Sequence, residues 1–92
     1  MKDYSRYLIA ENATVLDALK LLNELSSDVL VLFVLNKKKQ MVGTLTDGDV
    51  RRFLIKGGNL ENSVTLAMSK KFHFFDKQIE LSKIKEFIDK RF

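Results

Sequence analysis

Thr46 and Asp49 stand three residues apart in the stretch Gly43-Thr44-Leu45-Thr46-Asp47-Gly48-Asp49-Val50-Arg51-Arg52, where an extended pattern turns helical. A hydroxyl and a carboxylate presented at such a corner have two uses. Backbone N–H groups at a helix start face outward and favour anions, and a carboxylate in the first turn can accept hydrogen bonds from two neighbouring ribose hydroxyls, which would recognise a nucleoside. The same spacing is also a plain capping arrangement, as Thr14-x-x-Asp17 shows elsewhere in the chain. The two uses are compatible.

Other side chains offer weaker chemistry. Arg51, Arg52, Lys56, Lys70, Lys71 and His73 can supply phosphate contacts, guanidinium groups doing so as a planar fork; solvated helix charges are the blander alternative. Arg52, just past Asp49, is the first to test. His73 is the only histidine, and with no cysteine in the chain only carboxylates are left to complete a zinc site, so an ordinary strand histidine is the better reading. Asp47 and Asp49 could hold magnesium, but nothing else completes the set. There is no Ser-His-Asp order, glycine-rich phosphate loop or readable pair of catalytic carboxylates, which argues against an enzyme. Phe72, Phe74 and Phe75 beside Lys70 and Lys71 are either a base-stacking surface or, as aromatics in a short strand usually are, part of the core.

The elements that must position these residues follow from hydrophobic spacing. Tyr7-Leu8-Ile9 reads as a short extended opening. Thr14 then caps a helix from about Val15 to Ser26, with Val15, Leu16, Ala18, Leu19, Leu22 and Leu25 as its apolar stripe. Val29 to Leu35 is apolar throughout and rich in β-branched residues, as expected of a strand covered on both faces. Asn36-Lys37-Lys38-Lys39 makes a polar turn whose lysines are best read as a solvated tip, and Met41 to Thr46 returns as the second strand of an antiparallel hairpin. A helix from Asp47 is stopped by Gly57-Gly58. The polar stretch Asn59 to Ser63 reads as a linker, followed by a short helical turn around Val64 to Met68. Phe72 to Phe75 is extended, and Ile79, Leu81, Ile84, Phe87 and Ile88 mark a final amphipathic helix ending at Arg91. That order suggests an internal repeat whose second copy stops after its first helix.

Bulk properties narrow the classes. With 92 residues, 46% hydrophobic and 30% charged, the chain is an ordinary globular composition for one domain, near the size at which a partner chain helps stability. The absence of cysteine fits a reducing, cytoplasmic setting. The longest apolar run, Val29 to Leu35, is far shorter than the roughly 20 residues that span a bilayer, so no membrane partner is expected, and residues 1 to 10 contain no apolar core of a secretory signal. The net charge of +4 favours anionic partners, and from Asp47 onward ten basic residues face seven acidic ones.

Residues 1 to about 58 resemble a cystathionine-β-synthase (CBS) domain, most specifically through Met41 to Val50 following the apolar strand Val29 to Leu35. More narrowly, Leu45 to Arg52 with Leu54-Ile55-Lys56-Gly57 is similar to the CBS region that precedes sugar-phosphate nucleotidyltransferase domains. The resemblance implies an α/β (α+β) fold, a β-α-β-β-α unit that pairs with a second unit and leaves clefts for adenosine nucleotides. It carries phosphate and ribose contacts onto Thr46 and Asp49, puts Thr14 near the ligand and lets the backbone around Ile9 and Ala10 border the base; Arg52 joins them as the phosphate contact. Residues 1–58 correspond to a first CBS motif and 59–92 to part of a second, packed as a single domain. The second hairpin and second Thr-x-x-Asp are absent, so either two chains associate or the chain belongs to a longer protein. The expected function is a regulatory module that requires no cofactor, takes AMP, ADP or ATP as a regulatory ligand, forms a homodimer, and serves a catalytic domain in the parent protein. The alternatives are a structural dimerisation module with an empty cleft and a basic nucleic-acid-binding domain, the latter disfavoured.

Overall fold

The structure, a computed structural model, describes residues 4–25, 31–70 and 79–80. After a 3-10 turn at Tyr4–Tyr7 come β1 (Leu8–Ala10), α1 (Val15–Leu25), β2 (Val31–Leu35), β3 (Gln40–Thr46) and α2 (Asp47–Ile55). A second 3-10 turn at Val64–Leu66 and the short strand β4 (Ile79–Glu80) follow. The sheet order is β1-β2-β3-β4. β1 runs parallel to β2 through the α1 crossover, β2 and β3 form the antiparallel hairpin, and β4 pairs antiparallel with Gln40 and Met41 at the outer edge of β3. The mixed α+β fold and the β-α-β-β-α order expected from the sequence are both present.

One face of the sheet packs on the helices. Val15, Ala18, Leu22 and Leu25 turn the buried stripe of α1 onto Leu32, Val34 and Leu45, with Ile9, Val50 and Val64 in the same cluster. Val50 is the only fully buried residue of α2, whose Phe53 and Leu54 are half-buried and whose Ile55 is 78% exposed. Register sets the second face. Leu35 pairs with Met41 instead of Val42, so β3 carries one extra residue there. Such a bulge reverses the alternation of side chains, and Met41 joins Phe33 and Leu35, all three buried, opposite the helices.

Helix ends follow local chemistry. α2 closes with Gly58 N–H donating to Phe53 O at 3.0 Å and Gly57 N–H to Leu54 O at 3.1 Å, a Schellman arrangement that needs a left-handed residue; Gly57 supplies it with φ +101°.

Three expectations change. Asn59 to Ser63 is no free linker, because its carbonyls cap α1: Val15 N–H donates to Asn62 O at 2.8 Å and Leu16 N–H to Leu60 O at 3.0 Å. Backbone acceptors carry no side-chain signature, so composition could not reveal this. Ile79 lies in β4 and not in a helix, since pairing with Met41 overrides its apolar periodicity. The helical turn near Val64 is a 3-10 turn ending at Leu66, short of Met68. Ser26, the start of the expected strand at Val29, Lys71, His73, the Phe72 to Phe75 segment and the final helix beyond Glu80 lie outside the described residues.

Candidate ligand site

The two Thr-x-x-Asp sequences fold into the same object. Thr46 Oγ1 accepts from Asp49 N–H at 3.1 Å, and Asp49 Oδ2 accepts from Thr46 N–H at 2.9 Å. Thr14 Oγ1 likewise accepts from Asp17 N–H at 3.1 Å, and Asp17 Oδ2 from Thr14 N–H at 3.1 Å. Both are capping boxes, each satisfying two backbone donors. Their surroundings separate them. The start of α1 is sealed by the Asn62 and Leu60 carbonyls, and Val64 N–H reaches Ala13 O at 2.9 Å. Among the described residues no such strap crosses the start of α2. There the Arg52 guanidinium reaches back, donating from Nη2 to Asp49 Oδ1 at 2.9 Å. It lies against Gly48, where an added Cβ would stand 3.2 Å from Arg52 Nη1.

Thr46, half-buried, keeps its hydroxyl hydrogen free to donate, because Oγ1 acts as acceptor in the cap. The carboxylate of Asp47 pairs with Arg51 at 3.1 Å. Each aspartate of the corner therefore faces an arginine, and among the described residues no cluster of three or more metal-ligating side chains forms.

The remaining candidates sit elsewhere. Ala10 pairs with Leu35, which pairs with Met41; Met41 lies five residues before Thr46, about 17 Å along the strand at about 3.4 Å per residue. Ile9, Ala10 and Thr14 thus occupy one end of the sheet and Thr46, Asp49 and Arg52 the other. One copy of the described chain does not bring the six together.

At the Ala10 end lies a cleft of about 610 Å³, walled by Ala10 and Leu35 and bordered by Lys37, Lys39, Ser63 and Thr65. A neighbouring hollow of about 350 Å³ shares Ala10, Leu35, Asn36 and Lys39 and adds Ile9 and Leu8. Ile9 is only 6% exposed, its side chain belonging to the core cluster. Ser63 Oγ donates to Glu11 O at 2.9 Å and lies 2.9 Å from Thr65 Oγ1. Sequence reasoning missed Lys37, Lys39, Ser63 and Thr65. The only available signal was a turn with three lysines and no glycine.

No protein-family profile matches the chain. A stretch of 59 residues, 62% of the chain, is 46% identical to an uncharacterized protein of Helicobacter pylori strain J99, of whose length it spans 17%. Solved structures show the fold. A CBS-domain containing protein from Agrobacterium tumefaciens superimposes with a TM-score of 0.66 at 16% identity, covering 90% of this chain and 66% of that one. The CBS domain pair of protein MJ0100, solved in complex with 5'-methylthioadenosine and S-adenosyl-L-methionine, gives 0.61 at 14% identity over 90% of this chain and 66% of its own. No described helix is long and apolar enough to cross a membrane. With its helix-backed sheet, its hairpin and its Thr-capped second helix, the chain has the fold of CBS-domain proteins.

Proposed function

We propose that the chain is a non-catalytic regulatory module that binds an adenosine-type nucleotide, AMP, ADP or ATP, between two copies of itself. The observation that supports this reading is the placement of the candidate residues at opposite ends of one sheet. A two-fold axis perpendicular to the strands runs the partner's sheet the other way, so each Thr46–Asp49 corner faces the end of the partner's sheet that holds the Ala10 cleft, and both pairs of half-sites form at once. In that arrangement Asp49 accepts from the ribose, the Thr46 hydroxyl and Arg52 meet phosphate, and the base lies against the backbone at Ile9 and Ala10. Thr14 borders the site through its position at the Ala10 end. The adenosine compounds in the MJ0100 complex support the ligand class.

Attachment to a catalytic domain, with a sugar-phosphate nucleotidyltransferase as the proposed partner, rests on the Leu45 to Gly57 resemblance. The short span matched in a much longer relative agrees with a module inside a larger protein. The ligand regulates by binding one arrangement of the pair more tightly than another, since differential affinity is the only source of a shift.

A second reading has its own support: both Asp49 oxygens are engaged in the described chain, as in a structural dimerisation module with an unused cleft. Thermal-shift and calorimetric titration with AMP, ADP, ATP and adenosine decides between them, with light scattering to count chains. At a ligand concentration of 100 times Kd the nucleotide reading predicts stabilisation of about 2.7 kcal/mol, abolished by Asp49→Ala. No stabilisation at millimolar nucleotide makes the module a scaffold, and strong salt-sensitive oligonucleotide binding would instead favour nucleic acid.

A further inference from the structure

The hairpin between β2 and β3 contains a lysine in a backbone conformation that lysine rarely adopts. Lys39 has φ 63°, the only positive φ among the described non-glycine residues. Its N–H donates to Asn36 O at 3.0 Å, and Asn36 N–H donates to Gln40 O at 2.9 Å. This is a tight turn followed by a left-handed residue, a position where glycine is favoured because a Cβ is strained there. The turn is not loosely held. Asn36 Oδ1 accepts from Lys38 N–H at 2.9 Å and from Gln40 N–H at 3.0 Å, and its Nδ2 donates to Gln40 Oε1 at 3.2 Å. Turn closure alone would be served better by glycine or asparagine, so the strain points to a use for the side chain.

Lys39 stands beside a cleft. Lys39 borders both the larger and the smaller hollow, Lys37 borders the larger, and Lys38 between them borders neither. Ser63 and Thr65 also line the larger hollow, and Glu11 is the one acidic residue in its lining. We propose that Lys39, with Lys37, forms a phosphate-binding rim at the hairpin end of the cleft. The ligand class is a di- or triphosphate group, and Lys39 is the specificity-determining residue that favours it over an uncharged nucleoside. The inference deepens the nucleotide reading and rests on it for the identity of the base, but not for the anion.

The test titrates pyrophosphate and, separately, adenosine into the full chain and into Lys39→Gly, Lys39→Met and Lys38→Gly. Lys39→Gly relieves the strain and removes the ammonium, so its thermal midpoint should equal or exceed that of the parent while pyrophosphate binding weakens about tenfold. Lys39→Met keeps the strain and the aliphatic stem, and should lose pyrophosphate to the same extent without the gain in midpoint. Lys38→Gly, with the same change in net charge, should bind pyrophosphate like the parent. Adenosine binding should be alike in all four proteins. The rim is overturned if the parent does not bind pyrophosphate, if Lys39→Gly binds it equally well, or if Lys38→Gly loses as much. Loss of adenosine binding alone, with the pyrophosphate pattern intact, overturns the nucleoside reading and leaves the rim standing.

Discussion

Arg52 occupies the carboxylate that a ribose would need: its Nη2 donates to Asp49 Oδ1 at 2.9 Å, while Asp49 Oδ2 is held by the backbone of Thr46. The two partners are unequally exposed, with 64% of the Arg52 side chain open to solvent against 17% for Asp49. The arginine is therefore the partner free to swing. A pair this open contributes little, within about 1 kcal/mol, so a ribose can displace it.

Arg52→Ala should accordingly leave stability within about 1 kcal/mol of the parent. It should bind adenosine as well or better, because Asp49 is freed, and bind AMP more weakly, because a phosphate contact is gone. Calorimetry with both ligands reads the two effects. Loss of adenosine binding along with AMP would show that Arg52 supports Asp49 instead of competing for it.

Thr14→Ala and Thr46→Ala remove chemically equivalent caps, and each should cost about 1 kcal/mol in urea denaturation. Only Thr46→Ala should also reduce the stabilisation produced by AMP, since the start of α1, unlike that of α2, is covered by the Leu60 and Asn62 carbonyls. An equal loss of AMP response in both variants contradicts the assignment of the phosphate contact to Thr46.

Asp17 gives stability a dependence on pH. The Thr14 backbone N–H chiefly, then the Thr14 side chain, hold its carboxyl below the ordinary value of 3.8; desolvation opposes them, and the charge of Lys20 adds the least. A carboxyl whose folded value is depressed stabilises fully above its unfolded value, and loses that contribution as pH falls through the folded one. Urea midpoints of the parent and Asp17→Asn, measured from about pH 6 down to about pH 2.5, should differ by a constant amount at the upper end and converge below about pH 4. A difference that grows on acidification contradicts the cap.

Two glycines should respond in opposite directions to alanine. A Cβ at Gly43 would overlap Met68 Sδ, lie 2.8 Å from Met68 Cγ and 3.1 Å from Ser69 O. The last atom is fixed by its bond with Thr44 N–H at 2.9 Å, so Gly43→Ala should cost about 1–3 kcal/mol. At Gly48 the nearest atoms belong to the flexible Arg52 guanidinium. Gly48→Ala should be neutral or stabilise by about 0.5–1 kcal/mol, as for alanine in a helix. Denaturant midpoints of both variants check the contrast.

The sequence made the local structure readable wherever side chains declare it. The apolar spacing from Val15 to Leu25 marks α1, the β-branched run marks β2, and Gly57-Gly58 marks the end of α2. What it concealed depends on backbone and register. Nothing in Asn59 to Ser63 shows that its carbonyls cap α1, and Ile79 is compatible with either a helix or an edge strand until Met41 is there to pair with it. The candidate site was readable as residue types but not as an assembly. Thr46, Asp49 and Arg52 do cluster; that Ala10 lies at the far end of the sheet follows only from the Ala10–Leu35–Met41 register. Lys37, Lys38 and Lys39 are exposed, as a solvated tip requires, while the left-handed backbone of Lys39 and the cleft beside it are not written in a run of three lysines.

In the proposed dimer one adenine nucleotide touches opposite ends of the sheet, one end from each of two copies. Titration of isotope-labelled protein with AMP, followed by two-dimensional amide NMR, tests it directly. The amides of Gly48 and Asp49 and those of Ala10 and Leu35 should shift along a single binding curve with one AMP per corner, in a particle of two chains. Shifts confined to one end of the sheet, or none at millimolar AMP, would contradict it.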